Sequence, residues 1–296
     1  YYNVTVSELT SADGKAKFTE EQISVYKEGY VFTSRNGEGN GQPLGWYPDA
    51  LIPFDKVLEC EQNSINTNEN QGIYMTVEST LDQPIGTYTG AMTIDFKSYT
   101  KVVPISVQVL DLTISEEVRA KSIFLTKWNH QGDLDTTIDR DLAYADKLIE
   151  YRLAANTPIN DYNPSGSDEA IERYVNISWD YLINPRCSTL CIPNADNGYT
   201  ILGNVLEGYV RAFAKKCFEE NINVMYKLAD YNGLIDEAPG RGLPVEQVKA
   251  NGLVFNTAIE NVAKSIENDA SITSPIKDEV VASIRKIPHV CTFKYS

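Results

Sequence analysis

Residues 189–228 read TLCIPNADNGYTILGNVLEGYVRAFAKKCFEENINVMYKL, and their rhythm decides the fold class. Residues 189–193 are a short apolar run ended by Pro193, as a buried strand requires. From Val205 to Glu220 the apolar spacing turns helical, with Leu206, Val210, Phe213, Ala214, Cys217 and Phe218 on one face. Asn221 then supplies a left-handed cap, and a strand signal returns over residues 223–228. Strand, helix and strand within 40 residues is the unit of a parallel α/β sheet.

Working outward, the same alternation runs from about residue 115 to the end. Residues 122–127 read as a strand, and residues 136–153 as a helix with Ile138, Leu142, Ala145, Leu148 and Ile149 on one stripe. Residues 155–160 give the next strand, and a polar loop over 160–168 leads to a helix ending near Asn184. Pro244 opens a long helix to about residue 267, as a first-turn proline does. A shorter helix spans 275–286, and residues 289–294 close the chain as β structure. The choice lies between a (β/α) barrel and an open doubly wound sheet. Neither Gly-x-Gly-x-x-Gly after a strand nor Gly-x-x-x-x-Gly-Lys-Ser/Thr occurs, which weighs against nucleotide binding. The stretch beyond residue 115 is shorter than the roughly 250 residues typical of an eight-fold barrel. The expectation is an incomplete barrel, pruned or completed by a further C-terminal segment of the same protein.

Residues 1–112 follow a different period. Ile73, Met75 and Val77 alternate with Tyr74, Thr76 and Glu78, giving one buried and one wetter face. The runs 23–33, 87–96 and 101–110 are rich in Val, Ile, Tyr and Thr, and Pro84, Gly86 and Gly90 punctuate them. A β-sandwich follows. The glycine-rich 34–43 and asparagine-rich 62–71 segments read as loops, either of which can edge a ligand site. The expected division is thus a β-sandwich domain over 1–115 and an incomplete barrel-like domain over 116–296.

Composition narrows the partners. Across 296 residues, 41 acidic and 26 basic side chains leave a net charge of −15, so the chain repels nucleic-acid phosphates and anionic membrane surfaces. No run reaches the roughly 18 apolar residues of a spanning helix. Because the chain starts at Tyr1 rather than Met, a processed or excised piece is one expectation. Cys60, Cys187, Cys191, Cys217 and Cys291 are too scattered for a disulfide framework. Cys187 and Cys191 are close enough to bridge or share a metal, but with only His130 and His289 in the chain small buried thiols are the better reading. No metal or cofactor is expected. The sequons at Asn3 and Asn176 match the glycosylation pattern and decide nothing.

Chemistry concentrates in residues 223–243, where a β run is followed by Asp236 and Glu237 and then by Pro239, Gly240 and Gly242. Strand ends that give way to βα loops form the catalytic face of barrel enzymes. Adjacent residues of a regular strand point to opposite sides, so both acids reach one site only where the chain bends, as the Pro and Gly allow. Two carboxyl groups in one cleft can be driven to different pKa values and divide into acid and charge stabiliser; the competing reading is a solvated pair on a loop. Trp128, Asn129 and His130 follow the first strand of this region and suit the wall of a sugar pocket, although Trp128 alone reads as half-buried packing. Asn160, Asp161 and Tyr162 end the second strand, and Tyr231 and Asn232 precede the acids. No Ser/His/Asp triad is indicated.

Several of these pieces together resemble a known family. The sandwich-then-barrel order, the segment GWYPDALIPF (45–54), the run DQPIGTYTG (82–90) and the later VPISVQVLDL (103–112) are similar to glycoside hydrolase family 123 and to its relatives grouped as domain of unknown function 4091. In those proteins a barrel strand ends in Asp-Glu-Pro, matched here by residues 233–239; Ala238 stands between Glu237 and Pro239. The resemblance implies β-N-acetylgalactosaminidase chemistry by a retaining, substrate-assisted mechanism without a metal. Glu237 would be the general acid and then the base for water. Asp236 would orient the 2-acetamido group that attacks the anomeric carbon. A carbohydrate ligand implies an extracellular or cell-surface setting. The alternative is a noncatalytic carbohydrate-binding or surface-protein fragment of the same fold.

Overall fold

The computed structural model describes residues 1–34, 43–124, 134–159, 166–193, 200–231 and 244–290. The chain divides into two compact units, Tyr1–Ile114 and Ser115–Ser296. Together they hold antiparallel sheets, a parallel sheet and, among the described residues, six α-helices. No helix among the described residues is long and apolar enough to cross a membrane.

The first unit contains β1 (Tyr2–Val6), β2 (Leu9–Ser11), β3 (Lys17–Phe18), β4 (Ile23–Thr33), β5 (Gly45–Pro53), α1 (Phe54–Glu59), β6 (Ile73–Val77), β7 (Gly86–Phe96) and β8 (Tyr99–Val109). All pairings are antiparallel. β7 is the spine of one sheet, pairing with β1, β2 and β8 while β3 extends β2, and β4 is the centre of the other, between β5 and β6. Period-two alternation turns one face of each sheet inward. Val25, Ile52 and Ile73 from the smaller sheet meet Val4, Met92 and Ile94 from the larger around Phe54 and Val57, and Ile23 and Val77 meet Leu9, Phe18, Tyr88 and Ile105 in a second cluster. Tyr88 is fully buried, edge-on to Phe18 at 4.8 Å, and its hydroxyl donates to the Pro84 carbonyl at 2.6 Å, which closes the Pro-x-Gly-x-Tyr turn. A β-carbon at Gly90 would stand 2.6 Å from Leu9 Cδ2 and 2.8 Å from the Glu8 carbonyl, so only glycine lets β2 approach β7 there. The strands read at 23–33 and 73–77 match β4 and β6. Helix α1 was not foreseen: it is too short for a helical period to emerge, and only Phe54 and Val57, one turn apart, mark its buried side.

The second unit contains α2 (Leu134–Glu150), α3 (Asp168–Ile183), β9 (Leu190–Ile192), α4 (Gly203–Glu220), β10 (Leu228–Tyr231), α5 (Val245–Asn268), α6 (Lys277–Ile284) and β11 (His289–Val290). β10 lies between β9 and β11, parallel to both. Beyond β9, the Cys191 amide donates to the Asn156 carbonyl at 2.7 Å, and Ala155 forms an isolated parallel bridge with Phe124. Spatial neighbours therefore follow chain order from Phe124 to His289. The core is one large apolar cluster in which Leu206, Tyr209, Val210, Phe213, Ala214 and Cys217 of α4 pack on α3 and α5. Asn221 takes the left-handed conformation expected of it, φ 53° and ψ 40°.

Three local readings are corrected. Residues 223–228 are not a strand: Met225–Lys227 form a 3₁₀ turn and the strand begins at Leu228. The cause is Lys227, which is buried and donates to the carbonyls of Leu182 and Asn184 at 2.9 and 2.8 Å, capping the end of α3. Over the described part of 155–160 only Ala155 has a ladder partner; its amide donates to Tyr181 Oη at 2.8 Å. Pro244 stands at the N-cap of α5 with φ −62° and ψ 142°, one position ahead of the first turn. Cys187, Cys191 and Cys217 are buried free thiols and Cys60 is an exposed one; Cys291 lies outside the described residues.

Candidate functional site

In a parallel sheet all strands end on the same edge, and that edge is where α/β folds place their chemistry. Here Ile192, Asp230 and His289 stand side by side near the carboxyl ends of β9, β10 and β11. Leu190, Ile192 and Leu228 belong to the helix-packed cluster, so by the period of two Asp230 shares their face. It is an acid in an apolar layer, its side chain only 4% exposed.

What makes this burial tolerable is His289, whose Nδ1 lies 2.7 Å from Asp230 Oδ2. A carboxylate only accepts hydrogen bonds, so in the neutral ring the proton sits on Nδ1 and Nε2 carries the lone pair. Nε2 is itself buried, with no hydrogen-bond partner among the described residues. The Phe255 ring of α5 packs edge-on against the imidazole at 5.3 Å. The Asp230 amide donates to the Pro288 carbonyl at 2.9 Å, so main chain and side chain both tie β11 to β10. One turn before Phe255, buried Asn251 accepts from the Ile201 amide at 3.3 Å and fixes the chain entering α4. Neighbouring Cys191 feels the same dry, negative setting: burial first, and the Asp230 charge second, push its thiol up to about 12. The arrangement holds an imidazole in one orientation with one nitrogen that has no partner among the described residues. Among the described residues no three His, Cys, Asp or Glu side chains come together to hold a metal ion.

Trp128, Asn129, His130, Asn160, Tyr162, Asp236 and Glu237 lie outside the described residues, and Tyr231 is described only by its main chain, as the last residue of β10. Asp230 and His289 were missed. Two signals pointed to them: an acid inside the apolar run before Tyr231, and one of the chain's two histidines in its last predicted strand.

No family model matches the chain, and no curated protein matches it. Among solved structures the chain is similar to a family 123 glycoside hydrolase from Clostridium perfringens, determined in a study of glycolipid glycan hydrolysis. The TM-score is 0.50 at 12% identity, over 86% of this chain and 52% of that one. The chain thus spans about half the length of this neighbour, and at that identity what the two share is a fold.

Proposed function

We propose that the chain is a glycoside hydrolase that removes a β-linked N-acetylhexosamine, with N-acetylgalactosamine favoured, by a retaining, substrate-assisted mechanism. The observation that carries the reading is the fold likeness to a glycan-cleaving enzyme, in a chain with adjacent acids a few positions after a parallel strand. In this reading the first unit is a β-sandwich and the second a (β/α) barrel. Support for the barrel comes from strand neighbours that follow chain order, whereas an open doubly wound sheet reverses order at a switch point.

Glu237 protonates the leaving glycosidic oxygen, and its carboxylate then takes a proton from the incoming water. Asp236 accepts from the 2-acetamido N–H, which aims the acetyl oxygen at the anomeric carbon and offsets the positive charge of the cyclic intermediate. Trp128 stacks on the sugar, while Asn129, His130, Asn160, Tyr162 and Tyr231 bond its hydroxyls. No cofactor enters the scheme. The substrate class fits an extracellular or cell-surface setting.

The test is hydrolysis of 4-nitrophenyl and phenyl N-acetyl-β-galactosaminides by the wild type and by Glu237→Gln. A general acid contributes on the order of 10²–10⁴-fold, and the poorer phenyl leaving group needs it more. The expected result is turnover by the wild type and a larger loss for the phenyl glycoside in the variant. Folded wild-type protein with no turnover above the variant refutes catalysis and leaves a binding role.

A further inference from the structure

We propose that the outer face of the β5–β4–β6 sheet is a binding platform for a neutral glycan. Val25, Ile52 and Ile73 turn inward, so Tyr26, Glu28, Tyr30 and Phe32, in the alternate positions of β4, turn outward. Their cross-strand neighbours add to the row. Tyr74 stands opposite Tyr26, and Trp46 stands opposite Phe32 with ring centroids 5.3 Å apart. At ~3.4 Å per residue the row runs about 20 Å along β4. It is uncovered: Tyr74, Tyr30, Phe32 and Trp46 are 46%, 39%, 51% and 67% exposed. Exposed rings in line are unusual where a soluble sheet carries polar residues.

A polar group is built into the row. The Tyr30 hydroxyl donates to Glu28 Oε2 at 3.2 Å and accepts from the Gly72 amide at 3.3 Å. The Glu28 carboxyl group lies in the space a β-carbon at residue 72 would take, so the carboxylate rests directly against the Gly72 backbone. Aromatic faces flanking a fixed carboxylate match the two sides of a sugar ring, its C–H face and its hydroxyl rim.

Size and charge select this occupant. At about 200 Å² per aromatic side chain the exposed rings offer roughly 400 Å², half of the ~800 Å² each partner contributes to a stable protein interface. That is too small for a second copy and ample for an oligosaccharide. Glu28 within the row and the −15 charge of the chain repel sulfated or uronic polymers. The ligand class is therefore an uncharged glycan. The platform lies wholly within the first unit and does not depend on the hydrolase reading.

The experiment is affinity electrophoresis of the full chain through gels containing hydroxyethyl cellulose, galactomannan or glycol chitin. Retardation is expected in at least one gel, weakened about tenfold or more by Trp46→Ala, the kind of loss seen at a central binding residue, and also by Phe32→Ala. Tyr226→Ala, which removes an exposed ring of the second unit, should keep it. Circular dichroism verifies that each variant is folded. Glu237→Gln should be retarded as the wild type is, and retardation of a wild type that shows no hydrolysis refutes only the proposed function. Absence of retardation in all three gels overturns the platform. So does retardation that survives both Trp46→Ala and Phe32→Ala, or a sedimentation shift from dimer to monomer on Trp46→Ala, which would make the face a protein contact.

Discussion

Replacing Asp230 with Ala, His289 with Ala, and both together isolates the interaction that holds the last described strand onto the sheet. The side chains are 4% and 16% exposed with a 2.7 Å contact, so water screens the bond little. Hydrogen bonds to charged groups contribute about 1.5–3 kcal/mol, and this geometry belongs in the upper half of that range. Either single replacement should cost at least about 2 kcal/mol. For a unit of 150–250 residues that corresponds to roughly 4–8 °C in Tm. The double variant should cost less than the sum of the singles, leaving a coupling of about 1.5–3 kcal/mol. Asp230→Asn keeps an acceptor opposite Nδ1 and should lose less than half as much. Urea unfolding in a Trp46→Phe background provides the assay, because it removes the first unit's only tryptophan and leaves Trp128 and buried Trp179 as reporters of the second. Equal m-values would make the midpoints comparable. A double variant equal to the sum of the singles within about 0.5 kcal/mol would refute the coupling.

Other outcomes follow from the same structure. Burial pushes the thiols of Cys187, Cys191 and Cys217 up to about 11, 12 and 11, so at pH 8 iodoacetamide should label exposed Cys60 and spare these three until urea is added. Equal labelling of Cys191 in the native protein would contradict this. The same shifts favour the protonated thiols of the folded state, so their contribution is intact below about pH 9 and is lost as pH rises toward 11–12; alkaline titration of Tm should show the decline. Arg285 donates to Glu267 Oε2 at 2.7 Å and holds its carboxyl below the usual range. That stabilisation is present above the unfolded carboxylate pKa and fades as pH falls, so Arg285→Gln should raise the acid-unfolding midpoint, and an unchanged midpoint would dismiss the contribution. At left-handed Asn221, Asn221→Val should cost about 1–2 kcal/mol and Asn221→Gly almost nothing; equal urea midpoints for the two would refute the cap.

Legibility differed by element for physical reasons. Strands β4, β6 and β7 and helices α3, α4 and α5 could be read because a half-buried strand or helix writes its period into many residues at once. Helix α1 and the turn at Met225–Lys227 could not. The first is too short to show a period, and the second arises because a lysine far along the chain is drawn inward to cap another helix. Asp236 and Glu237, which lie outside the described residues, stood out as a local pattern, whereas the pairing of Asp230 with His289 did not, since nothing within a few residues of either announces the other.

Local order was therefore written in the chain: alternation of period two before residue 112, mixed strand and helix after it, the Asn221 cap, and a net acidic charge. Folding alone decided which distant residues meet. It put Tyr30, Phe32, Trp46 and Tyr74 on one uncovered face, and it set an imidazole against a carboxylate across two parallel strands. Periodicity is a property of neighbours in sequence, whereas sheet register and buried pairing depend on loop closures between residues far apart, which no local pattern encodes.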